Sequence, residues 1–139
     1  MSALSTQFLF AIGTGTMTAT SVSIPSAAVA PNGSTTFFSA KQQGDGYYGA
    51  SDGLHTITYT VTPNFAGDMS MQASLATSPQ DVDWFTITNT TVSYPFPIVP
   101  ATTTTNYINF TGNFVWVRAR VYREDVTPNG SLLFINYNH

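Results

Sequence analysis

The sequence predicts an all-β protein, an antiparallel, jelly-roll-like β-sandwich of roughly eight to ten short strands. Several stretches alternate apolar and polar side chains with the period of two that is typical of a half-buried strand. Clusters of glycine, proline and asparagine separate these stretches, and no window of helical length shows a period of 3.6 residues. A closed β-barrel is the alternative that the same pattern allows.

The clearest strand runs from Asn113 to Arg123, where small apolar residues alternate strictly with larger ones. One face consists of Val115, Val117, Ala119 and Val121. The other face consists of Phe114, Trp116, Arg118, Arg120 and Tyr122. A solvated face rarely carries so many aromatic rings. We therefore expect the first face in the core, and we take the second face as a candidate interface that another part of the chain or a partner covers.

The remaining strands are expected where shorter alternating or β-branched runs lie between turn residues. They cover 7–12, 16–24, 35–40, 55–62, 69–75, 84–88, 107–110 and 132–137. The proline-rich stretch from Tyr94 to Pro100 is expected to run along a sheet edge, because proline cannot donate to a β-ladder. Pro31-Asn-Gly-Ser34 and Pro128-Asn-Gly-Ser131 each separate two apolar runs and have the residue types of hairpin turns.

The domain organisation follows from these elements. Residues 35–139 are assigned to the β-sandwich, and residues 1–34 to N-terminal strands and a candidate docking arm. This arm is apolar but weakly patterned. With 139 residues, the chain has the length of one domain, so we expect both parts to fold as one cooperative unit.

The composition is that of a folded protein with a neutral surface. Hydrophobic residues make up 42% of the chain, whereas charged residues make up only 8% and are replaced by threonine, serine and asparagine. Such a surface has little self-repulsion, which favours a homo-oligomer or a permanent assembly over a free monomer. A secreted domain of low charge is the alternative. The net charge of −3 argues against binding nucleic acid through a basic face.

The sequence also indicates where the protein is made. It has no cysteine, which excludes disulfides, thiol catalysis and cysteine metal sites. The segment from Met1 to Gln7 lacks the charged leader and the long apolar run of a signal peptide, and no stretch has transmembrane length. We expect a soluble chain that is synthesised in the cytoplasm and has no membrane partner.

Few residues are suited to catalysis or metal binding. His55 lies on the apolar face of a strand, where a structural histidine with both nitrogens bonded is the favoured interpretation. Asp81 and Asp83 do not form the pair of carboxylates on separate strands that glycoside hydrolysis needs. Asp45 and Asp52, in a glycine-rich loop, are too few for a calcium site. The sequence therefore predicts a protein that is not an enzyme and that has no catalytic residues, metal or cofactor.

The glycine-rich loop from Gly44 to Gly53 is a second candidate binding element. It carries Tyr47 and Tyr48 next to each other. These rings are suited either to stacking on a sugar or to insertion into a neighbouring subunit.

Two stretches resemble a known class of module. They are His55-Thr-Ile-Thr-Tyr-Thr-Val61, continuing through Met69 to Ile87, and Asn109-Phe-Thr-Gly-Asn-Phe-Val-Trp-Val-Arg-Ala-Arg-Val121. Together they resemble β-sandwich modules in virion structural proteins of tailed bacteriophages, especially phages of marine cyanobacteria. The resemblance covers about residues 54–123.

This resemblance implies a non-enzymatic virion structural protein that decorates or cements the capsid, or belongs to the tail. Its partners would be major capsid or tail proteins, and the chain would be localised in the virion after synthesis in the host cytoplasm. The alternative is a fibre-like module that binds carbohydrate on the host surface. An exposed loop at Tyr47 and Tyr48 favours the glycan, whereas a loop buried between subunits favours the structural role.

Overall fold

The computed structural model describes residues 5–13, 19–25, 35–44, 53–96, 99–124 and 130–138. Twelve strands lie in this part of the chain: β1 (Ser5–Gln7), β2 (Phe10–Ile12), β3 (Ala19–Ser21), β4 (Thr36–Phe38), β5 (Gln42–Gln43), β6 (Leu54–Val61), β7 (Gly67–Ser74), β8 (Phe85–Thr86), β9 (Val92–Tyr94), β10 (Thr104–Thr111), β11 (Trp116–Arg123) and β12 (Leu132–Asn138). The helical content of the described residues is one 3₁₀ turn, Asp81–Asp83. Within the same ranges, no helix is long and apolar enough to cross a membrane.

The strands form two main antiparallel sheets. A four-stranded sheet has the order β1-β12-β6-β10. A six-stranded sheet follows the path β4-β11-β7-β8, with β5 also pairing with β11 and β9 also pairing with β7. A small ribbon of β2 and β3 completes the described sheets. The all-β, antiparallel sandwich that the sequence predicts is confirmed.

Long, regular ladders lie at the centre of each sheet. All eight residues of β6 pair with β10, and all eight residues of β11 pair with β7. Among them, β6, β7 and β11 alternate in residue type, which fixes the apolar set towards the core because a slip of one residue would expose that whole set. The predicted core face of β11 is confirmed, since Val117, Ala119 and Val121 are fully buried.

The N-terminal residues belong to the same core. β1 pairs with β12, and Ile24 forms an isolated bridge with Leu132. Phe8, Phe10 and Ile24 are fully buried. The proposed division at residue 34 stays a prediction, and Pro31–Ser34 and Pro128–Asn129 lie outside the described residues.

Several strand boundaries differ from the predicted ones for local reasons. The strand predicted over 84–88 is only Phe85–Thr86, because the 3₁₀ turn precedes it and a turn at 88–89 ends it. The edge element predicted over 94–100 shares only Tyr94 with a strand, since β9 ends there and Pro95 has no N–H to continue the ladder. Residues 97–98 lie outside the described residues. In the predicted strand over 16–24, the described part keeps strand structure only at Ala19–Ser21.

Candidate functional site

The first candidate site is the outward face of β11 together with the residues that cover it, named the outer strip: Phe38, Lys41, Asp68, Gln72, Trp84, Trp116, Arg118, Arg120 and Tyr122. Alternate residues of a strand point to opposite faces, so the buried valines of β11 put these large side chains on the outside. Trp116 is half-buried, and its Nε1 donates to the Thr77 carbonyl at 2.9 Å. Lys41 Nζ lies 4.4 Å from the centre of the Trp116 ring.

Arg118 lies between two aromatic rings. Its Cζ is 4.3 Å from the ring centre of Phe38 and 4.3 Å from that of Trp84, and its Nε donates to Gln72 Oε1 at 2.8 Å. Burial lowers the pKa of the Arg118 guanidinium, and the charge of Asp81 acts in the opposite direction. Contacts on two ring faces and one hydrogen bond fix the plane of the guanidinium.

Arg120, two residues further along β11, is neutralised within the strip. Its Nη1 donates to Asp68 Oδ1 at 2.9 Å, and both side chains are about one-third exposed. A pair with this exposure stabilises the fold by about 0–1 kcal/mol. Tyr122 is half-buried and lies opposite Asp68 and Thr36 in the sheet register. The chain's own side chains therefore cover much of this face, and its role as an interface with a partner stays a prediction.

Phe114 is separate from the outer strip, which corrects the sequence-based placement. β11 begins at Trp116, and residues 112–114 are not in a strand, so the alternation does not extend back to Phe114. Gly112 has a φ of +149°, and a Cβ at this position would lie 2.3 Å from Phe114 Cζ. The turn at Gly112 instead brings the Phe114 ring to Phe110, Phe85 and His55.

These rings form part of the second candidate site, the edge cleft, which has a volume of about 510 Å³. It lies where the edge strand β8 of one sheet approaches the edge strand β10 of the other. Its lining residues are Phe85, Thr86, Ile87, Thr88, Asn89, Asn109, Phe110, Thr111 and Phe114. Phe85 is 42% exposed, and its ring meets that of Phe114 edge-on at 5.8 Å.

Polar side chains surround this aromatic surface. Asn109 Oδ1 accepts a hydrogen bond from Thr56 Oγ1 at 2.7 Å, which leaves the Asn109 amide nitrogen as a donor at the cleft. Asn89 has a φ of +65°, a conformation that is uncommon outside glycine and that concentrates at functional sites. The buried Thr90 holds this turn in place, since its Oγ1 donates to the Ile87 carbonyl at 2.7 Å and accepts from Met71 N at 3.1 Å.

His55 supports the cleft from inside the core. The ring is fully buried, with Nε2 2.8 Å from the Gly112 carbonyl and Nδ1 2.9 Å from the Tyr137 hydroxyl. A carbonyl only accepts, so Nε2 donates to Gly112 and the Nδ1 of a neutral ring accepts from Tyr137. The imidazole also stacks on Phe110 at 4.9 Å. The interpretation of His55 as a structural histidine is confirmed, and the residue positions the Gly112 turn.

Two of the acidic residues, Asp83 and Glu124, form hydrogen bonds within the fold. Asp83 Oδ2 accepts from the Gln80 backbone nitrogen at 2.8 Å and caps the 3₁₀ turn. Glu124 Oε2 accepts from the Phe96 nitrogen at 3.1 Å. In the part of the chain that the structure describes, no group of three histidine or acidic side chains is placed to hold a metal ion. Tyr47, Tyr48, Asp45 and Asp52 lie outside the described residues.

No protein-family model matches the chain, and no curated protein matches it. Among solved structures, the chain is similar to a family 29 carbohydrate-binding module from Piromyces equi, with a TM-score of 0.51 and 11% identity over 99% of this chain and 91% of that one. It is also similar to the C-terminal CBM6 of LamC, a marine laminarinase from Zobellia galactanivorans, with a TM-score of 0.48 and 12% identity over 99% of this chain and all of the other. A carbohydrate-binding module of the Cellvibrio mixtus lichenase 5A, solved with cellotriose, has a TM-score of 0.41 and 14% identity, with coverage of 99% and 96%.

The functional prediction is corrected here. The assignment to a virion structural protein is wrong: the chain shares its fold over almost its whole length with the Piromyces equi carbohydrate-binding module. The resemblance to phage modules, the localisation and the homo-oligomer stay predictions.

Sequence reasoning missed most of the edge cleft. It selected Phe114 for the wrong face and did not select Phe85, Asn89 or Asn109. Two local signals were available: Trp84 and Phe85 are neighbouring aromatic residues, and Asn89 has a residue type that favours turns. Neither signal predicts that β8 and β10, which belong to different sheets, lie close together in space.

Proposed function

We propose that this chain is a non-catalytic carbohydrate-binding domain and that the edge cleft is its sugar-binding site. The observation that carries the proposal is the combination of three phenyl rings with amide and hydroxyl groups around one open cleft of about 510 Å³. A sugar ring presents apolar C–H faces and hydroxyl groups together, so it needs both kinds of partner. Small-molecule sites commonly have this size and this mixture of apolar walls and a few polar groups.

Phe85 is the residue best placed to contact a sugar face. It is 42% exposed although it is a large apolar side chain, and the edge-on contact with Phe114 restrains its ring. Exposed aromatic rings that a neighbour holds rigid lose little entropy on binding, and such residues dominate binding energies in other interfaces.

Asn89 and Asn109 supply the polar contacts. The Asn109 side chain is oriented by its bond to Thr56, and the Asn89 turn is clamped to β7 through Thr90. A polar group that is already held in place gives specificity at a small entropic cost. The fold shared with the Piromyces equi carbohydrate-binding module supports the same function.

The absence of catalysis is part of the proposal. Asp68 is paired with Arg120, Asp83 caps a turn, and Glu124 accepts a backbone hydrogen bond. None of these three acids lines the edge cleft. A bound sugar would therefore be held without being hydrolysed.

Isothermal titration calorimetry against a panel of neutral and acidic polysaccharides tests the proposal. Phe85→Ala is expected to weaken binding by about five- to thirtyfold, the loss that truncation of an aromatic anchor worth roughly 1–2 kcal/mol produces. Asn89→Gly is expected to weaken binding while preserving the turn, because glycine readily adopts the positive φ. Tyr107→Ala is the matched control, since this ring is 67% exposed on β10 but does not line the cleft.

Two outcomes would overturn the proposal. In one, the folded wild-type chain binds no member of the panel. In the other, it binds, but Phe85→Ala and Asn89→Gly bind as tightly as wild type.

A further inference from the structure

We propose that Arg118 is a binding residue for a carboxylate group and that the preferred ligand of this chain is therefore an acidic polysaccharide containing uronic acid residues. The inference rests on the proposed carbohydrate-binding function and adds the chemical class of the ligand. It assigns the Nη groups of the half-buried Arg118 to the carboxylate of a sugar that lies beyond the edge cleft.

The first step is the fixed orientation of the guanidinium. Phe38 and Trp84 hold its Cζ at 4.3 Å from each ring centre, and Gln72 accepts from Nε at 2.8 Å. Gln72 lies directly opposite Arg118 in the sheet register, so the acceptor is itself part of a regular ladder. A planar group held on both faces and along one edge is organised before any ligand arrives.

The second step is the contrast with Arg120. Arg120 has the Asp68 carboxylate at 2.9 Å, whereas the structure records no ion pair and no Nη hydrogen bond for Arg118 with the residues that it describes. A guanidinium has five N–H donors, and a carboxylate matches two of them side by side. Burial lowers the pKa of the Arg118 guanidinium because it removes hydration from the charged group, and Asp81 offsets this effect only in part.

The third step is the charge around Arg118. Asp81, in the 3₁₀ turn, is the acid whose charge reaches Arg118, but its side chain is exposed and is screened by water. Lys41 lies over Trp116, two positions before Arg118 on the same face of β11. Arg120 and Asp68 neutralise each other. Removal of the Asp81 charge should therefore strengthen the binding of an anion at Arg118.

The fourth step connects Arg118 to the edge cleft. Trp84 covers Arg118, and the next residue, Phe85, lines the cleft. Thr86 also lines the cleft and pairs with Gln72, the residue that holds Arg118 Nε. The two sites are therefore adjacent across one short strand, so one polysaccharide chain can contact both.

The experiment compares acidic polysaccharides with neutral forms of the same backbone. Polygalacturonate and alginate are each titrated beside their carboxyl-reduced forms by calorimetry, at two salt concentrations. Wild type is expected to bind the carboxylate forms about tenfold more tightly than the reduced forms, with the preference weakening at high salt.

Three variants identify the group that is responsible. Arg118→Lys keeps the positive charge but loses the paired N–H donors of the guanidinium. This variant is expected to lose most of the preference for the carboxylate forms. Asp81→Asn is expected to strengthen binding of the carboxylate forms alone. Arg120→Lys is the matched control on the same strand and should keep the wild-type preference, and thermal melting checks that each variant is folded.

The outcomes separate this inference from the proposed function. Equal binding of acidic and reduced forms, or a preference that survives Arg118→Lys and is unchanged by Asp81→Asn, overturns the role of Arg118 while carbohydrate binding stands. Stronger binding of dextran sulfate than of polygalacturonate overturns the choice of carboxylate. Equal, Arg118-dependent binding of poly-L-glutamate overturns the assignment to a sugar. Failure to bind any polysaccharide removes both proposals.

Discussion

His55 and Tyr137 illustrate how single residues hold the edge cleft in shape. The buried imidazole joins Tyr137 in β12 to the Gly112 carbonyl, and the Gly112 turn sets the position of Phe114. Both ring nitrogens of His55 are satisfied, which is the requirement for a polar group at this depth. The cleft therefore depends on a hydrogen-bond chain that does not itself contact the cleft opening.

We expect Tyr137→Phe to lower the free energy of unfolding by about 1–2 kcal/mol, because it removes the hydroxyl and leaves His55 Nδ1 without this partner in a buried site. Urea denaturation followed by circular dichroism measures the change. Tyr107→Phe is the control, since its hydroxyl lies on an exposed side chain. An equal effect of the two substitutions would contradict the assigned role of the His55–Tyr137 bond.

At the scale of elements, Tyr59 connects the two sheets. It lies on β6 of the four-stranded sheet, and its side chain interacts with that of Tyr94 on β9 of the six-stranded sheet. Burial, followed by the interaction with Tyr94, raises the pKa of Tyr59 from 10.0 to about 12. Ionisation of Tyr59 is therefore disfavoured in the folded protein.

This pKa predicts a loss of stability in alkali. The folded pKa lies above the unfolded value, so the contribution of Tyr59 is complete below pH 10 and is lost as the pH rises from 10 through 12. Its size is up to about 3 kcal/mol, because one pKa unit corresponds to about 1.4 kcal/mol. Urea titrations at pH 9 and pH 11.5 should show a larger loss for wild type than for Tyr59→Phe. Parallel losses in the two proteins would refute the assignment.

Some elements could be predicted from the sequence and others could not. β6, β7 and β11 could be predicted because residue types alternate with a period of two along each of them. Phe114 could not be placed, because the turn at Gly112 interrupts the strand and only the packed structure shows the Phe114 ring against His55. Only the β11 residues of the outer strip were predicted, namely Trp116, Arg118, Arg120 and Tyr122. The contacts of these residues with other members of the strip, such as Gln72 and Trp84, depend on which strands are neighbours.

At the scale of the whole molecule, the N-terminal residues complete the sandwich. Phe8 is fully buried, its ring centre is 5.4 Å from that of Tyr137, and its backbone nitrogen donates to the Ile135 carbonyl at 3.0 Å. The described part of residues 1–34 thus supplies core side chains.

We expect Phe8→Ala to lower the free energy of unfolding by about 3–5 kcal/mol, the range for truncation of a buried aromatic residue. Leu9→Ala is the control one residue away, where the side chain is 40% exposed and the cost should be small. Urea denaturation compares the two. A change below about 1 kcal/mol for Phe8→Ala would mean that this segment is dispensable for the core.

The edge cleft is also a property of the whole molecule. Its two walls, 85–89 and 109–114, are about twenty residues apart in sequence and belong to different sheets. No local sequence pattern predicts that these two segments are neighbours in space, because their proximity depends on how the two sheets pack at their edges. The aromatic and amide residues that define the cleft become recognisable as a site only in the folded structure.

A heteronuclear NMR titration of the ¹⁵N-labelled chain with oligosaccharides from the neutral and acidic panels would locate the sugar-binding surface. We expect saturable shifts that are concentrated in the amides of 85–89 and 109–114, and that are lost in Phe85→Ala but kept in Tyr107→Ala. No shift with any oligosaccharide, or shifts confined to the outer faces of β1 and β12, would contradict carbohydrate binding at the edge cleft.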